Sequence, residues 1–584
     1  MVPIILASDK TPVTGHSGGL EMHPVFLTIG NIQSDIRMQA TSHAWRCVGF
    51  IPSPAIKVHS DFKTLLLSRL FHWALDIITA SLKEVAENGC MLADASGHSR
   101  KCYTPLVSYI ADLPEQQLIA CVSKNASPVT MAELPQFGDP TPAKPRTRDA
   151  TLQQIKDLCA AIDPWDLAAF QKAAKLIKLL GVHRPFWRNW KFAEPSLFLT
   201  CEVLHTLHKF FYDHIVEWCK FVTGSHTLDT CFMNLHQCIS FRHFASGVSH
   251  QPQMSGREHR DMESKLVPIL DGAGTASDDF IYAIRAMLEF IYHAQDPVYT
   301  DLSITQMERA LADFHSRKQC IIDIGARRGM KGTINHFNIP KIELMMSFAH
   351  QTKANGALIQ YTADVSERLL ITHCKTTFRH TSRQSRTYVD QVVDILNREE
   401  TIRLFDLYLV LRMANHSAIE TIIRTEHEET TIIDPTLDFL QRVLPEQVSM
   451  FHGPRPFRNH FQSSNVLIST DGEIALHVTV RPDHATLSVA QMQALYCLPD
   501  LSFIISRYVH EASQGYPTCE WDVQGNVSTW NKFCIQLHSS FRGQYVDKSQ
   551  VVQAFPPSDE YPLGHCDAVL LRHGGNGTDV YGTT

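Results

Sequence analysis

The chain has 584 residues, 44% hydrophobic and 19% charged, with a formal net charge of −7. That is globular composition at a length beyond one compact core, so two to four domains or sub-domains are expected. The negative balance excludes a global attraction to nucleic acid and leaves any such contact to local basic patches.

"PIILASDKT" (3–11) opens the chain with a buried-looking strand over 3–8 that delivers Asp9 at its C-terminal end. "HPVFLTIGNI" (23–32) and "AWRCVGFIP" (44–52) read as two more strands. "DFKTLLLSRLFHWALDIITASLKEVAENG" follows, with Leu66, Leu70, Ala74, Ile77 and Ile78 at helical spacing and Gly89 as its stop. "YTPLVSYIA" (103–111) is a fourth strand, and it too ends in an acid, Asp112. "PEQQLIACV" then starts a helix, with Pro114 in an early-turn position. Three strands, a helix and a fourth strand is the order of a ribonuclease H-like core. In that fold the first and fourth strands are neighbours, so Asp9 and Asp112 would be neighbours too. This step is analogy.

The Pro-rich "QFGDPTPAKPRTRDAT" (136–151) reads as a linker, and helical patterns fill roughly 152–315. "IPKIELMMSFAHQT", "SERLLITHC" and "YVDQVVDILNREETIRLFDLYLVLR" continue the helices. After Pro435 the texture alternates, with a hairpin expected around Asp471-Gly472. The fifteen Cys are scattered without a CxxC pair, which fits reduced thiols in a nuclear or cytosolic protein. No apolar stretch is long enough to span a bilayer, and no basic leader precedes the first apolar residues, so neither a membrane span nor a secretory signal is expected.

"IILASDKT", "PVFLTIGNI", "YIADLPEQQLIAC", "FWRNW…LFLTCEVLHTLHKFFYDHIVEWC", "FRHFASGVS", "SGREHRDM", "NIPKIELM" and "ADVSERLLI" follow one another in an order that resembles the Plavaka transposases. These are a fungal group related to the CACTA cut-and-paste DNA transposons. The resemblance runs from about residue 3 to 500. It implies a mixed α/β chain: a ribonuclease H-like core, a large helical insertion and a C-terminal α+β region. The expected division is 1–125 for the first half of the core, 126–151 for the linker and 152–315 for the insertion. Residues 316–400 would complete the core, and 401–584 would form the α+β region.

The family's DDE acidic triad, carried over residue by residue, falls on Asp9 and Asp112. Glu367 in "ADVSERLL" is the favoured third acid because it follows the insertion, where the core should resume. Glu202 in "CEVLH" and Glu258 in "SGREHRDM" are the alternatives. The chain departs from the family pattern in starting at the first catalytic strand, in lacking paired Cys after the second acid and in stopping at "VYGTT". The expectation is a copy truncated at both ends, decayed or domesticated.

The implied reaction is metal-dependent DNA strand cleavage and strand transfer, with Mg²⁺ or Mn²⁺ as cofactor. Two such ions, roughly 3.5–4 Å apart, stabilise the attacking and leaving oxygens of an in-line displacement. Hard ions of this kind take few protein carboxylates, which separate chain segments can supply. The rival reading is a catalytically inactive or domesticated DNA-binding or interaction protein. Each acid also has a plain structural reading, as a turn, cap or first-turn residue. His205 and His208, three apart on one helix, have a spacing that could bind metal, but without Cys partners they read as polar packing.

Two basic stretches are candidates for DNA contact. "GARRGMKG" (325–332) holds Arg327, Arg328 and Lys331 among three glycines. "HCKTTFRHTSRQSR" (373–386) carries Lys375, Arg379, Arg383 and Arg386 with no acid. Expected partners are transposon-end and target DNA in the nucleus, with a homo-oligomer left open.

Overall fold

The computed structural model describes residues 1–14, 19–54, 56–93, 99–237, 242–250, 254–413, 458–463, 466–469, 472, 474–512, 525–538, 546, 549–567, 570–574 and 577–581. Contacts divide the chain into two units, Met1–Thr223 with Met254–Pro454 and Gly224–Gln253 with Arg455–Thr584.

In the first unit "IILAS" forms β1 (Ile4–Ser8), with every side chain buried. A continuous apolar run of this kind suits a strand covered on both faces. β1 pairs antiparallel with β2 (Pro24–Ile29), which pairs antiparallel with β3 (Arg46–Phe50). α1 (Ser60–Ile78) and α2 (Ala80–Asn88) follow, and β4 (Leu106–Ile110) then returns parallel to β1. The sheet order is therefore β3-β2-β1-β4, and the two strands that lead into Asp9 and Asp112 are neighbours.

The single helix expected over 61–88 is broken at Thr79, with a bend of 56°. The Thr79 hydroxyl donates to the Leu75 carbonyl at 2.7 Å, a local bond that competes with regular helix geometry. A hairpin of Cys90–Ala93 with Ser99–Cys102 precedes β4. Its second strand, "SRKC", has no apolar alternation, so no sequence signal announced it.

The Pro-rich stretch read as a linker packs into this unit. Phe137 and Arg146 are buried, and backbone bridges join Ala126 to Glu133 and Thr130 to Pro145. Gly138 lies so close to Phe337 that a Cβ would stand 2.7 Å from the Phe337 carbonyl oxygen. α3 (Leu113–Ile119) has already left β4 at this point, and α4 (Arg148–Ala161) begins inside the stretch.

Helices dominate the remainder. α5 (Leu167–Leu176) leads to a run ending at Thr223 that contains two π-helical segments, Leu204–His208 and Phe211–Val216. α6 (Gly256–Ala273), α7 (Asp278–His293) and α8 (Asp301–Arg317) come next. After them come α9 (Pro340–Met345), α10 (Phe348–Asn355), α11 (Asp364–Leu369) and α12 (Tyr388–Met413).

The segment beyond residue 340 returns to the first strands. Arg37 donates to the Gln360 side chain at 2.7 Å, the Tyr388 hydroxyl to the Glu21 carbonyl at 2.7 Å, and Arg46 pairs with Glu400 at 3.0 Å. Among the described residues no single helix is long and apolar enough to cross a membrane.

The second unit holds a five-stranded antiparallel sheet. Its order is Val466–Ile468, Ile474–His477, Lys532–Leu537, Gln550–Phe555 and His565–Cys566. The first two strands form the expected hairpin, and Gly472 takes the positive φ (76°) that its turn needs. Asp471, paired with Gly472 in the sequence reading, lies outside the described residues, as do residues 414–457 of the expected C-terminal region. Ile474, Ile535 and Val552 form a small core with Phe533 and Leu537 against it.

Candidate active site

Asp9 leaves β1 directly, and Asp112 leaves β4 after Ala111, so two neighbouring strands send carboxylates to one end of the sheet. Asp112 is also the cap of α3, its Oδ1 accepting the Glu115 amide at 2.9 Å. The capping reading and the candidate-site reading therefore hold for the same residue.

Burial pushes the Asp9 carboxyl up to about 6, and the charges of Glu115 and Asp112 push it in the same direction. His205 and the Lys10 amide offset part of this. Asp112 is likewise raised, by burial first and by Glu115 and Glu202 after it, against the Glu115 amide and His205. The two acids sit in a partly dehydrated, negatively charged corner.

Glu115 is a residue that the sequence reading missed. It is buried, and it accepts a hydrogen bond from the Ser8 hydroxyl. His23 Nε2 stands 3.1 Å from both of its carboxylate oxygens, and the Tyr109 hydroxyl is 2.7 Å from Ser8 Oγ. The only signal in the sequence was its place three residues after a helix cap, where an acid is ordinary.

His205 and Glu202 are the next charged groups near this corner. Glu202, 1% exposed, accepts from the amides of Leu204 (2.7 Å), His205 (2.5 Å) and Ala363 (2.7 Å) and from the Thr362 hydroxyl (3.2 Å). Its carboxylate also meets His205 Nδ1 at 2.9 Å. Burial would raise this acid, but His205 and the amide bonds outweigh it and hold it below its ordinary value. Glu202 thus ties the start of the π-helical run to the start of α11, which carries Glu367.

Glu367 is half exposed, with Oε1 3.2 Å from His205 Nε2. Burial would lower the His205 imidazole. Instead Glu202 and Glu367, one on each nitrogen, push it up to about 11, so it is a fixed cation. The same cation acts electrostatically on Asp9 and Asp112. His205 was read as polar packing in preference to metal binding; its pairing across two distant helices was not legible in the spacing.

Glu258 closes a capping box with Ser255 at the start of α6. His208 is fully buried, with Nδ1 2.7 Å from Glu263 and Nε2 accepting from Arg260 at 3.2 Å. Arg260 in turn reaches Asp364 at 2.8 Å, fastening α6 to α11.

The carboxylates of Asp9 and Asp112 are hard oxygen donors whose mutual repulsion a divalent cation would relieve, so their chemistry suits Mg²⁺ or Mn²⁺. Among the described residues no three His, Cys, Asp or Glu side chains are gathered at ligating distance. Glu367 faces His205 rather than the two aspartates.

The basic candidates divide. Arg327 is buried and donates to the His336 carbonyl at 3.4 Å, whereas Arg328 and Lys331 are exposed on a small hairpin. Lys375 is half-buried, and Arg379, Arg383 and Arg386 are exposed. Among the described residues none of these four is ion-paired to an acid. They follow Glu367 by 8 to 19 positions along the chain.

Residues 1–219 match the model of the Plavaka transposase family, and residues 458–576 match a domain of unknown function, DUF6830. No curated protein matches the chain. The Plavaka match covers the stretch that carries Asp9, Asp112, Glu115, Glu202 and His205 and is consistent with a Plavaka-type transposase.

Proposed function

We propose that the first unit is the catalytic region of a cut-and-paste transposase. Its four-stranded sheet would be a ribonuclease H-like core, acting on DNA phosphodiesters in the nucleus. The observation that carries this reading is electrostatic and topological together. Asp9 and Asp112 leave parallel neighbouring strands, burial and the shared neighbour Glu115 raise both, and one imidazolium, His205, acts on both while holding Glu367. The family match over the same stretch supports it, since transposases bind DNA and use divalent metal.

In this reading Asp9 and Asp112 would hold the cation, and Glu367, paired with His205 at 3.2 Å, would be the third acid available to it. When bound, the metal supplies charge stabilisation for the entering and leaving oxygens. Glu202 fixes His205 and the α11 start, so the third acid arrives on a braced helix. Arg379, Arg383, Arg386 and Lys375 hold the phosphate backbone through contacts that carry no sequence information. Arg328 and Lys331 are a second backbone contact, while Arg327 acts as the buried anchor of their hairpin.

The test is Mg²⁺- or Mn²⁺-dependent cleavage and strand transfer by the purified chain on DNA carrying element ends. Glu367→Gln should abolish cleavage and leave DNA binding nearly intact. Cleavage that survives Glu367→Gln and dies with Glu202→Gln would move the third acid. A wild-type chain that binds DNA and never cuts it with either metal would overturn the catalytic reading.

A further inference from the structure

The hairpin at 328–333 carries at its tip a residue, Met330, that the backbone contacts of Arg328 and Lys331 leave unexplained. Arg328 and Gly329 pair antiparallel with Thr333 and Gly332, leaving Met330 and Lys331 as the two-residue tip. Such tips favour Asn, Asp and Gly for their backbone freedom, so nothing local calls for a methionine here. Met330 is entirely exposed, at 107% of its reference surface.

The base of this hairpin is firmly held. The Ala326 and Arg327 amides both donate to the Ile321 carbonyl, at 3.0 and 3.2 Å, and the Ile334 amide donates to the Arg327 carbonyl at 2.8 Å. The Arg327 guanidinium is tucked inward, and the Arg328 guanidinium lies 5.0 Å over the Phe221 ring. Among the described residues neither Arg328 nor Lys331 is ion-paired to an acid. A rigid base therefore presents an apolar, unbranched side chain between two cations.

We propose that this hairpin is a DNA-deforming wedge: Met330 enters the minor groove between two base pairs while Arg328 and Lys331 hold the flanking phosphates. Apolar side chains inserted in this way unstack a base step and bend the duplex toward the major groove. Methionine suits the role because its flexible thioether adapts to an irregular gap. Charge complementarity selects a polyanion as the occupant, and the groove supplies the apolar base faces that the tip lacks on the protein. The inference rests on DNA being the substrate, and it adds that the chain bends or opens that DNA.

The experiment uses the full chain and duplexes of about three helical turns, with 2-aminopurine at successive steps and a fluorophore pair at the ends. The wild type should raise 2-aminopurine emission at one step severalfold and shorten the end-to-end distance. Met330→Ala should lose both signals while the slope of log affinity against log salt stays unchanged; Met330→Leu should keep them. Arg328→Gln and Lys331→Gln should each lower that slope by about 0.9, the loss of one phosphate contact. Binding with an unchanged bend and emission in Met330→Ala overturns the wedge and leaves the transposase reading intact. Failure of the wild type to bind any duplex overturns both. Met330-dependent binding to anionic vesicles, with no change on DNA, would assign the tip to a membrane surface and overturn the wedge.

Discussion

The acids at the strand ends are partly withdrawn from water and the acid at the start of the π-helical run fully so, yet their surroundings act in opposite directions. Glu202 accepts three backbone amides and a hydroxyl and faces the His205 cation, so its charged form is favoured. Asp9 and Asp112 are raised by burial first and then by neighbouring acids, Glu115 beside both, so their charged forms are disfavoured. A carboxylate whose role is to join helices is satisfied by donors of the protein itself. Carboxylates left in mutual repulsion are the ones a cation would stabilise, and perturbed acids of this kind mark candidate functional sites.

The contrast breaks first under substitution of the proposed catalytic acids. Asp112→Asn and Glu367→Gln should each lower the cleavage rate by about 10³-fold or more, equivalent to several kcal/mol of lost charge stabilisation. Binding to the same DNA should change little. Equal cleavage by wild type and both variants would put the catalytic centre elsewhere.

Glu202→Gln should act on folding instead. It leaves His205 and the Ala363 amide facing a neutral group, and unfolding in urea should show a loss of about 3 kcal/mol at pH 7. Because the folded Glu202 lies below its ordinary 4.5, its contribution is present above that pH and is lost as pH falls further. The gap between wild type and variant should therefore narrow in acid. A gap that widened there would contradict the assignment.

Asp9→Asn should do the reverse. The folded carboxyl binds its proton more tightly than the unfolded one, so stability falls as pH rises from about 3.8 to about 6 and stays low above it. In chelator, at pH 7 to 8, the variant should be more stable than wild type by about 1 kcal/mol, after discounting for partial exposure. Near pH 3.5 the two should unfold alike.

The smallest effect is expected at the exposed basic run. Arg379→Ala should reduce the salt slope of DNA binding by about 0.9 and leave the rate of cleavage of bound DNA unchanged. An unchanged slope would remove Arg379 from the interface and leave the acid corner as it stands.

Much of the first sheet was legible in the chain itself. "IILAS" is continuously apolar and ends at Asp9, and "LVSYI" ends two residues before Asp112 at a Pro-marked helix start. Local signals of this kind suffice because burial on both faces and helix capping act over a few residues. The ordered blocks around them also carried the Plavaka resemblance that the family match bears out over residues 1–219.

Other features depended on contacts far apart in sequence. The role of Glu115 comes from Ser8 and His23, some hundred residues earlier, and that of His205 from Glu367, 162 positions later. Neither pairing leaves a local trace, because an acid in a first helical turn and a histidine on a helix look alike whether or not a partner arrives. The Pro-rich stretch at 136–151 teaches the same lesson. Its composition speaks of a tether, but Phe137, Arg146 and the close approach of Gly138 to Phe337 make it part of the packed unit. Sequence determined which residues could be strands, caps and acids; only the tertiary structure decided which acids repel, which are satisfied and which helix brings Glu367 to His205. The reason is physical: charge and burial depend on what comes within a few ångströms, and chain order does not specify that.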